Sequence, residues 1–233
     1  MIPLRDANPV RSAPIVNRLL LAVNLVVWIY IVYLTRQPGA MEAFFDRYSF
    51  DWLEFTRRIS SGDLGPSTFV PLVSHMFLHG GWLHLISNMW FLWIFGDNVE
   101  RRLGSPMYVV LYLGAGVVAG IAQILPNPDS FIPSLGASGA IAGVLGAYLA
   151  LFPTNRVWIL VFRFIPFAVP ALVAIGLWFL LNLVNGVGQI ALTEQTGGVA
   201  YLAHVGGFIA GLVVGLIFRS QPPARTQRFG YGR

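Results

Sequence analysis

The sequence predicts an all-α membrane protein, a bundle of six transmembrane helices with an amphipathic segment in the outer loop after the first. Three observations predict it. Hydrophobic residues make up 56% of the chain and charged residues only 11%, with a mean hydropathy of +0.67. A soluble domain carries roughly 25% charged residues to keep its surface wet. The apolar residues gather in six stretches, Leu19–Leu34, Trp82–Phe95, Met107–Leu125, Ser138–Phe152, Pro166–Val187 and Tyr201–Phe218. Finally, the arginines lie between these stretches and not within them.

Crossing a bilayer takes about 20 helical residues, usually roughly 17–25. The second and fourth stretches are shorter, which suits helices sunk in protein or starting below the surface beside a re-entrant loop. The expected layout is an N-terminal segment over residues 1–18, a membrane domain over 19–218 and a tail over 219–233, disordered from its Pro-rich start at Gln221. Alternating the six spans puts Arg5, Arg11, Arg18, Arg101, Arg102, Arg156, Arg163, Arg219 and the tail arginines on one side. Only Arg36, Arg47, Arg57 and Arg58 fall on the other, among most of the acids. Basic residues mark the cytoplasmic side, so both termini are expected there.

The net charge of +5 comes wholly from arginine, and its scatter between apolar spans argues against nucleic acid as a partner. No cysteine is present, which excludes disulfides and a thiol nucleophile. The polar N-terminus shows neither a cleavable signal nor a transit peptide, so a bacterial inner membrane is expected. In the loop after the first span, Met41, Phe44, Phe45, Tyr48, Trp52, Phe55 and Ile59 recur at three- and four-residue steps. That spacing predicts an amphipathic helix, lying in the outer interface or packed on the bundle.

Polar groups inside apolar helices are costly, and each is therefore a functional candidate. His84 and Asn88 share one face of the second span. Ser138 opens the fourth span between Gly136 and Gly139, and His204 lies one turn into the sixth. All three spans run inward from the outer side, so these four residues fall at one shallow depth. Gly139, Gly143 and Gly146 form a small-residue face on the fourth span, and His204, Gly207 and Gly211 share one on the sixth. Such faces let helices approach closely, enough to bring Ser138 Oγ within reach of His204, the arrangement that activates a serine nucleophile. Asp97 and Glu100 fall at the inner end, Asp129 and Glu194 in outer loops. A Ser–His dyad with no carboxylate is the result.

His75 and His79 have the i, i+4 spacing of zinc ligands on a helix, but Met76 follows His75 where a metalloprotease helix carries Glu. Hydrogen bonding is the preferred role, and neither metal nor cofactor is expected. Trp178, Phe179 and Phe91 are read as core packing before any part in lateral substrate access.

Taken together, His75–His79 with His84 and Asn88, Gly96 through Glu100-Arg101-Arg102 to Gly104, Gly136-Ala137-Ser138-Gly139, and Ala203-His204 through Gly207 to Gly211 resemble the rhomboid family of intramembrane serine proteases. The resemblance runs from about Ser74 to Phe218. It implies a rhomboid-like six-helix bundle, Ser138 as nucleophile and His204 as base. It also implies an oxyanion hole of His84, Asn88 and the Ser138 N–H, and a structural pair, Glu100 and Arg102, at the inner end of the second span. Substrates would be single-pass transmembrane proteins cut in or near their transmembrane segments, towards the outer face. Two features depart from the family pattern. Thr68-Phe69-Val70-Pro71 stands where many members have Trp-Arg, and Ala142 stands where many have a tyrosine stacked on the histidine. A catalytically inactive binder of transmembrane helices is the alternative reading. A transporter is disfavoured, since no internal repeat is visible.

Overall fold

A computed structural model describes residues 2–8, 14–125, 133–161, 165–192 and 199–221. Asp129, Glu194, Arg11, Arg163 and the tail from Pro222, each assigned a side or a state from sequence, lie outside the described residues. Ten helices follow in chain order: α1 (Ile15–Leu34), α2 (Ala40–Tyr48), α3 (Trp52–Ser60), α4 (Pro66–Phe69), α5 (Pro71–Ser74), α6 (Trp82–Leu103), α7 (Ser105–Ile124), α8 (Ser138–Leu151), α9 (Ala171–Leu192) and α10 (Tyr201–Arg219). Among the described residues α1, α7, α9 as far as Gly188 and α10 are long and apolar enough to cross a membrane. α6 with the segment Pro66–Phe77 before it makes a fifth candidate, bent by 81° between the two. Large apolar side chains such as Leu83 and Val26 are 81% and 64% exposed, a surface suited to lipid and not to water. The chain is an integral, multi-pass membrane protein.

α8 is the axis of the bundle. Its residues are buried almost all round, from Gly139 to Tyr148 without a break. Fourteen residues rise only about 21 Å, short of the roughly 30 Å hydrocarbon core, so α8 alone does not reach across it. The packing is set by residues too small to keep helices apart. A Cβ on Gly211 would stand 2.6 Å from Gly143 Cα, and one on Gly146 would stand 2.8 Å from Leu212 N. Ala115 and Ala119 of α7 close on Gly143 and Gly139 from the other side. Backbone thus lies against backbone along the α8–α10 seam, as the small-residue faces predict.

At the far end from Ser138, polar groups tie helix ends together. Glu100 accepts from Val16 N at 3.0 Å, Asn17 N at 2.8 Å and Ser105 Oγ at 2.6 Å, capping the first turn of α1. Arg102 donates from Nη2 to the carbonyls of Phe218, Arg219 and Gln221 at 2.7–3.0 Å, closing the last turn of α10. Expected from sequence as a pair, the two form no ion pair with each other among the described residues; each holds a different helix end. Glu100→Gln keeps one acceptor and loses the second and the charge. It should lower the unfolding midpoint in detergent, equivalent to about 1–3 kcal/mol, while the folded fraction keeps its Ser138 reactivity towards a serine-directed probe.

The structure corrects two expectations. The chain is not all-α: β1 (Ile2–Asp6), β2 (Arg156–Val161) and β3 (Ile165–Pro170) form an antiparallel sheet in the order β1-β2-β3. Val157 and Ile159 turn into the bundle and are buried. β1 is fastened by Trp90 Nε1, which donates to Pro3 O, and by Asp6 Oδ2, which accepts from Asn98 Nδ2 and Tyr148 OH. The apolar run beginning at Pro166 reads continuously into the next helix, yet helix starts only after Pro170, because proline cannot continue a helical ladder. The amphipathic helix expected over Met41–Ile59 is likewise two, α2 and α3. They part at Ser49-Phe50-Asp51, where Asp51 Oδ1 caps Glu54 N at 3.0 Å. Phe44, Phe45 and Tyr48 pack against the bundle.

Candidate active site

The segment leading to Ser138 is held in three places. Phe50 and Ser134 exchange backbone hydrogen bonds at 3.0 and 2.8 Å, and Gly136 N donates to His75 O at 2.8 Å. Gly136 has φ +116°, and a Cβ there would lie 2.7 Å from His84 Cε1 and Nε2. Only glycine fits both the backbone conformation and the histidine beside it. The third hold comes at Gly139, whose carbonyl lies against Gly207 of α10, while its own missing Cβ leaves 3.8 Å to Ala203 O. Ser138 is thereby fixed beside the turn of α10 that carries His204. No described backbone carbonyl takes the N–H of Ser138, Gly139 or Ala140, as expected at a helix start.

His204 is buried and gripped on two sides. Its Nδ1 lies 2.7 Å from Asn182 Oδ1, and the Trp178 ring packs on the imidazole at 5.7 Å between centroids and 34° between planes. Both partners come from α9. The backbone one residue earlier is fixed by Ala203 N donating to Gln123 Oε1 at 3.1 Å. His84 is half-buried between Gly136 and the ring of His79, 5.1 Å away between centroids. Asn88 is buried one turn further along α6, and its Nδ2 has no partner among the described residues. An unpaired buried amide donor is expensive unless something arrives to accept from it.

The geometry thus assembles a hydroxyl at a helix start, an imidazole with one nitrogen engaged, and donors left open. His75 and His79 are not on one helical face: the short 3-10 turn His75–Phe77 ends at Leu78, which is extended. His75 packs on Phe50 and His79 on His84. Gly139, Gly207 and Gly211 lie in the α8–α10 seam, Gly136 beside His84, and Glu100 and Arg102 at the opposite end. Asn182 and Trp178 are the contacts the sequence reading missed. Asn182 is an amide within an apolar span, the same signal that marks Asn88. An amide can take the place a carboxylate would have beside His204, and the sequence pattern of acids alone does not show it.

Comparison with known proteins identifies the family. The Rhomboid domain family profile matches residues 66–221. The chain is 32% identical over 160 residues to RHOMBOID-like protein 5 of Arabidopsis thaliana, covering 69% of this chain and 46% of that one. It is 35% identical over 145 residues to Rhomboid protease GluP of Bacillus subtilis, covering 62% and 26%. Against Rhomboid protein 1, mitochondrial, of Saccharomyces cerevisiae it is 30% identical over 165 residues, covering 68% and 44%. The chain therefore spans less than half the length of each of these relatives. With the profile matched over most of its length, this chain belongs to the rhomboid family.

Proposed function

We propose that the protein is an intramembrane serine endopeptidase, cutting peptide bonds in or near the transmembrane segments of single-pass membrane proteins. What supports the reading is the placement of Ser138 at the start of α8, one residue before Gly139, which packs on the turn of α10 from Ala203 to Gly207, together with a buried His204 whose Nδ1 is already engaged. The similarity to Rhomboid protease GluP supports it. In this mechanism Ser138 Oγ attacks the scissile carbonyl and gives its proton to His204 Nε2. The oxyanion accepts from the Ser138 N–H, Asn88 Nδ2 and His84. His204 then protonates the leaving amine, and water releases the acyl group from Ser138 by the same steps in reverse roles. No cofactor or metal takes part. The proposal includes six spans, both termini in the cytoplasm and a site open to the outer face of a bacterial inner membrane.

A fluorophosphonate probe should label the wild-type protein and not Ser138→Ala. The wild type in liposomes should cut a single-pass substrate near its outer end, with the site mapped by mass spectrometry. A folded wild type that neither labels nor cuts would make the chain a binder of transmembrane helices. Asn88→Ala should lower turnover about 100-fold without lowering the unfolding midpoint, because the donor removed has no partner among the described residues. A lowered midpoint with normal turnover would instead make Asn88 a packing residue.

A further inference from the structure

We propose that one turn of α9, through Asn182 and Trp178, sets the tautomer and orientation of His204, making Asn182 a positioning residue for the reaction. The inference rests on the serine-protease reading above for its kinetic consequences, and on geometry alone for the tautomer.

An amide side chain beside an imidazole is ambiguous, since it can offer either oxygen or NH2. Here the ambiguity is removed from within α9. Asn182 Nδ2 lies 2.8 Å from Trp178 O, a carbonyl that can only accept. The NH2 must face that carbonyl, which leaves Oδ1 facing His204 Nδ1 at 2.7 Å. Oδ1 in turn can only accept, so Nδ1 carries the proton and Nε2 keeps its lone pair. That is the tautomer able to take a proton from Ser138. The reversed amide would demand a bare Nδ1 and leave Nε2 protonated, useless as a base.

The ring of Trp178 packs at a tilt beside the same imidazole and also packs on Phe208 of α10. Ala142 is fully buried on α8 and offers no ring for this purpose. Amide and indole, one helical turn apart, therefore restrain His204 in both rotation and tilt. Each belongs to a helix that carries neither the nucleophile nor the base, so the base is correctly set only while α9 is docked.

The direct test is 15N NMR of histidine-labelled protein in detergent, with His204 assigned by difference from His204→Gln. Wild type should show Nδ1 protonated and Nε2 bare, and Asn182→Leu should show mixed tautomers. Nε2 protonated in the wild type would overturn the proposal whatever the activity, which separates its failure from that of the protease reading. Kinetically, Asn182→Leu should lower kcat at least about 10-fold with KM little changed. Asn182→Asp should keep activity and move the acidic limb of the kcat–pH profile to higher pH, because a carboxylate stabilises the imidazolium. An Asn182→Leu enzyme with normal kcat, or an Asn182→Asp enzyme whose limb stays in place, would assign Asn182 to packing. If the leucine variant does not fold, the aspartate variant decides.

Discussion

Gly211→Val is expected to leave little or no folded protein. A Cβ at Gly211 would overlap the Gly143 carbonyl and stand 2.6 Å from Gly143 Cα. Both are backbone, so no side chain can swing aside, and α10 must move bodily from α8. That movement would also disturb Gly207 against Gly139 and Gly146 against Phe208, because the same rigid helices carry all three contacts. Membrane helices associate through close packing and not through expulsion of water, so the lost contact has no substitute. Overpacking in a yielding core costs about 1–3 kcal/mol, and a seam that cannot yield should exceed this. The measurements are detergent-resistant monodispersity and the unfolding midpoint. Gly114→Ala serves as the control, since nothing lies within 4 Å of a Cβ there; it should be neutral or stabilising by up to about 1 kcal/mol. A Gly211→Val protein that unfolds like wild type would mean the seam is looser than drawn.

His204→Ala and Ser138→Ala should each lower turnover by about four orders of magnitude or more. In the proposed mechanism Ser138 and His204 act as one unit, so the double variant should be no slower than either single one. Their stabilities should differ. Ser138→Ala removes one half-buried hydroxyl and should unfold almost as wild type does. His204→Ala strips Asn182 Oδ1 of its partner and leaves Trp178 facing a void, at a cost of about 1–3 kcal/mol. Turnover measured per folded molecule separates the two effects. Residual turnover in His204→Ala near the wild-type rate would require another base.

Much of the site was legible because the membrane makes polar residues conspicuous. His84, Asn88, Ser138 and His204 are outliers in their own helices; the structure puts His84 beside Gly136, buries Asn88 one turn on, and starts α8 at Ser138, packed on the helix that carries His204. The helices were readable for the related reason that apolar runs of the right length have few alternatives in lipid. The sheet was not. The run Pro166–Pro170 is as apolar as the helix after it, and only its two prolines mark the change. The break between α2 and α3 was hidden because Tyr48 and Trp52 keep the four-residue spacing across it, while the backbone of Phe50 between them pairs with Ser134, a partner 84 positions away. The family resemblance implies Glu100 and Arg102 as a structural pair, whereas their partners in the structure are the ends of α1 and α10.

The attachment of β1 imposes an order of events on biosynthesis. Residues 2–6 pair with 157–160, and Asp6 reaches Tyr148, 142 positions along the chain. A chain made from its first residue onward therefore releases the strand long before anything exists for it to join. α1, α6, α7 and α8 must all have been produced before β2 appears. The ends of this long loop then meet at a closure penalty that grows only slowly with its length. Pro3 can find Trp90 earlier, when α6 is made, and the sheet can close once β2 and β3 exist, before α9 and α10 are made. Residues 2–6 are thus held in reserve until α8 and β2 follow them, and their docking can precede the arrival of the helix that carries His204.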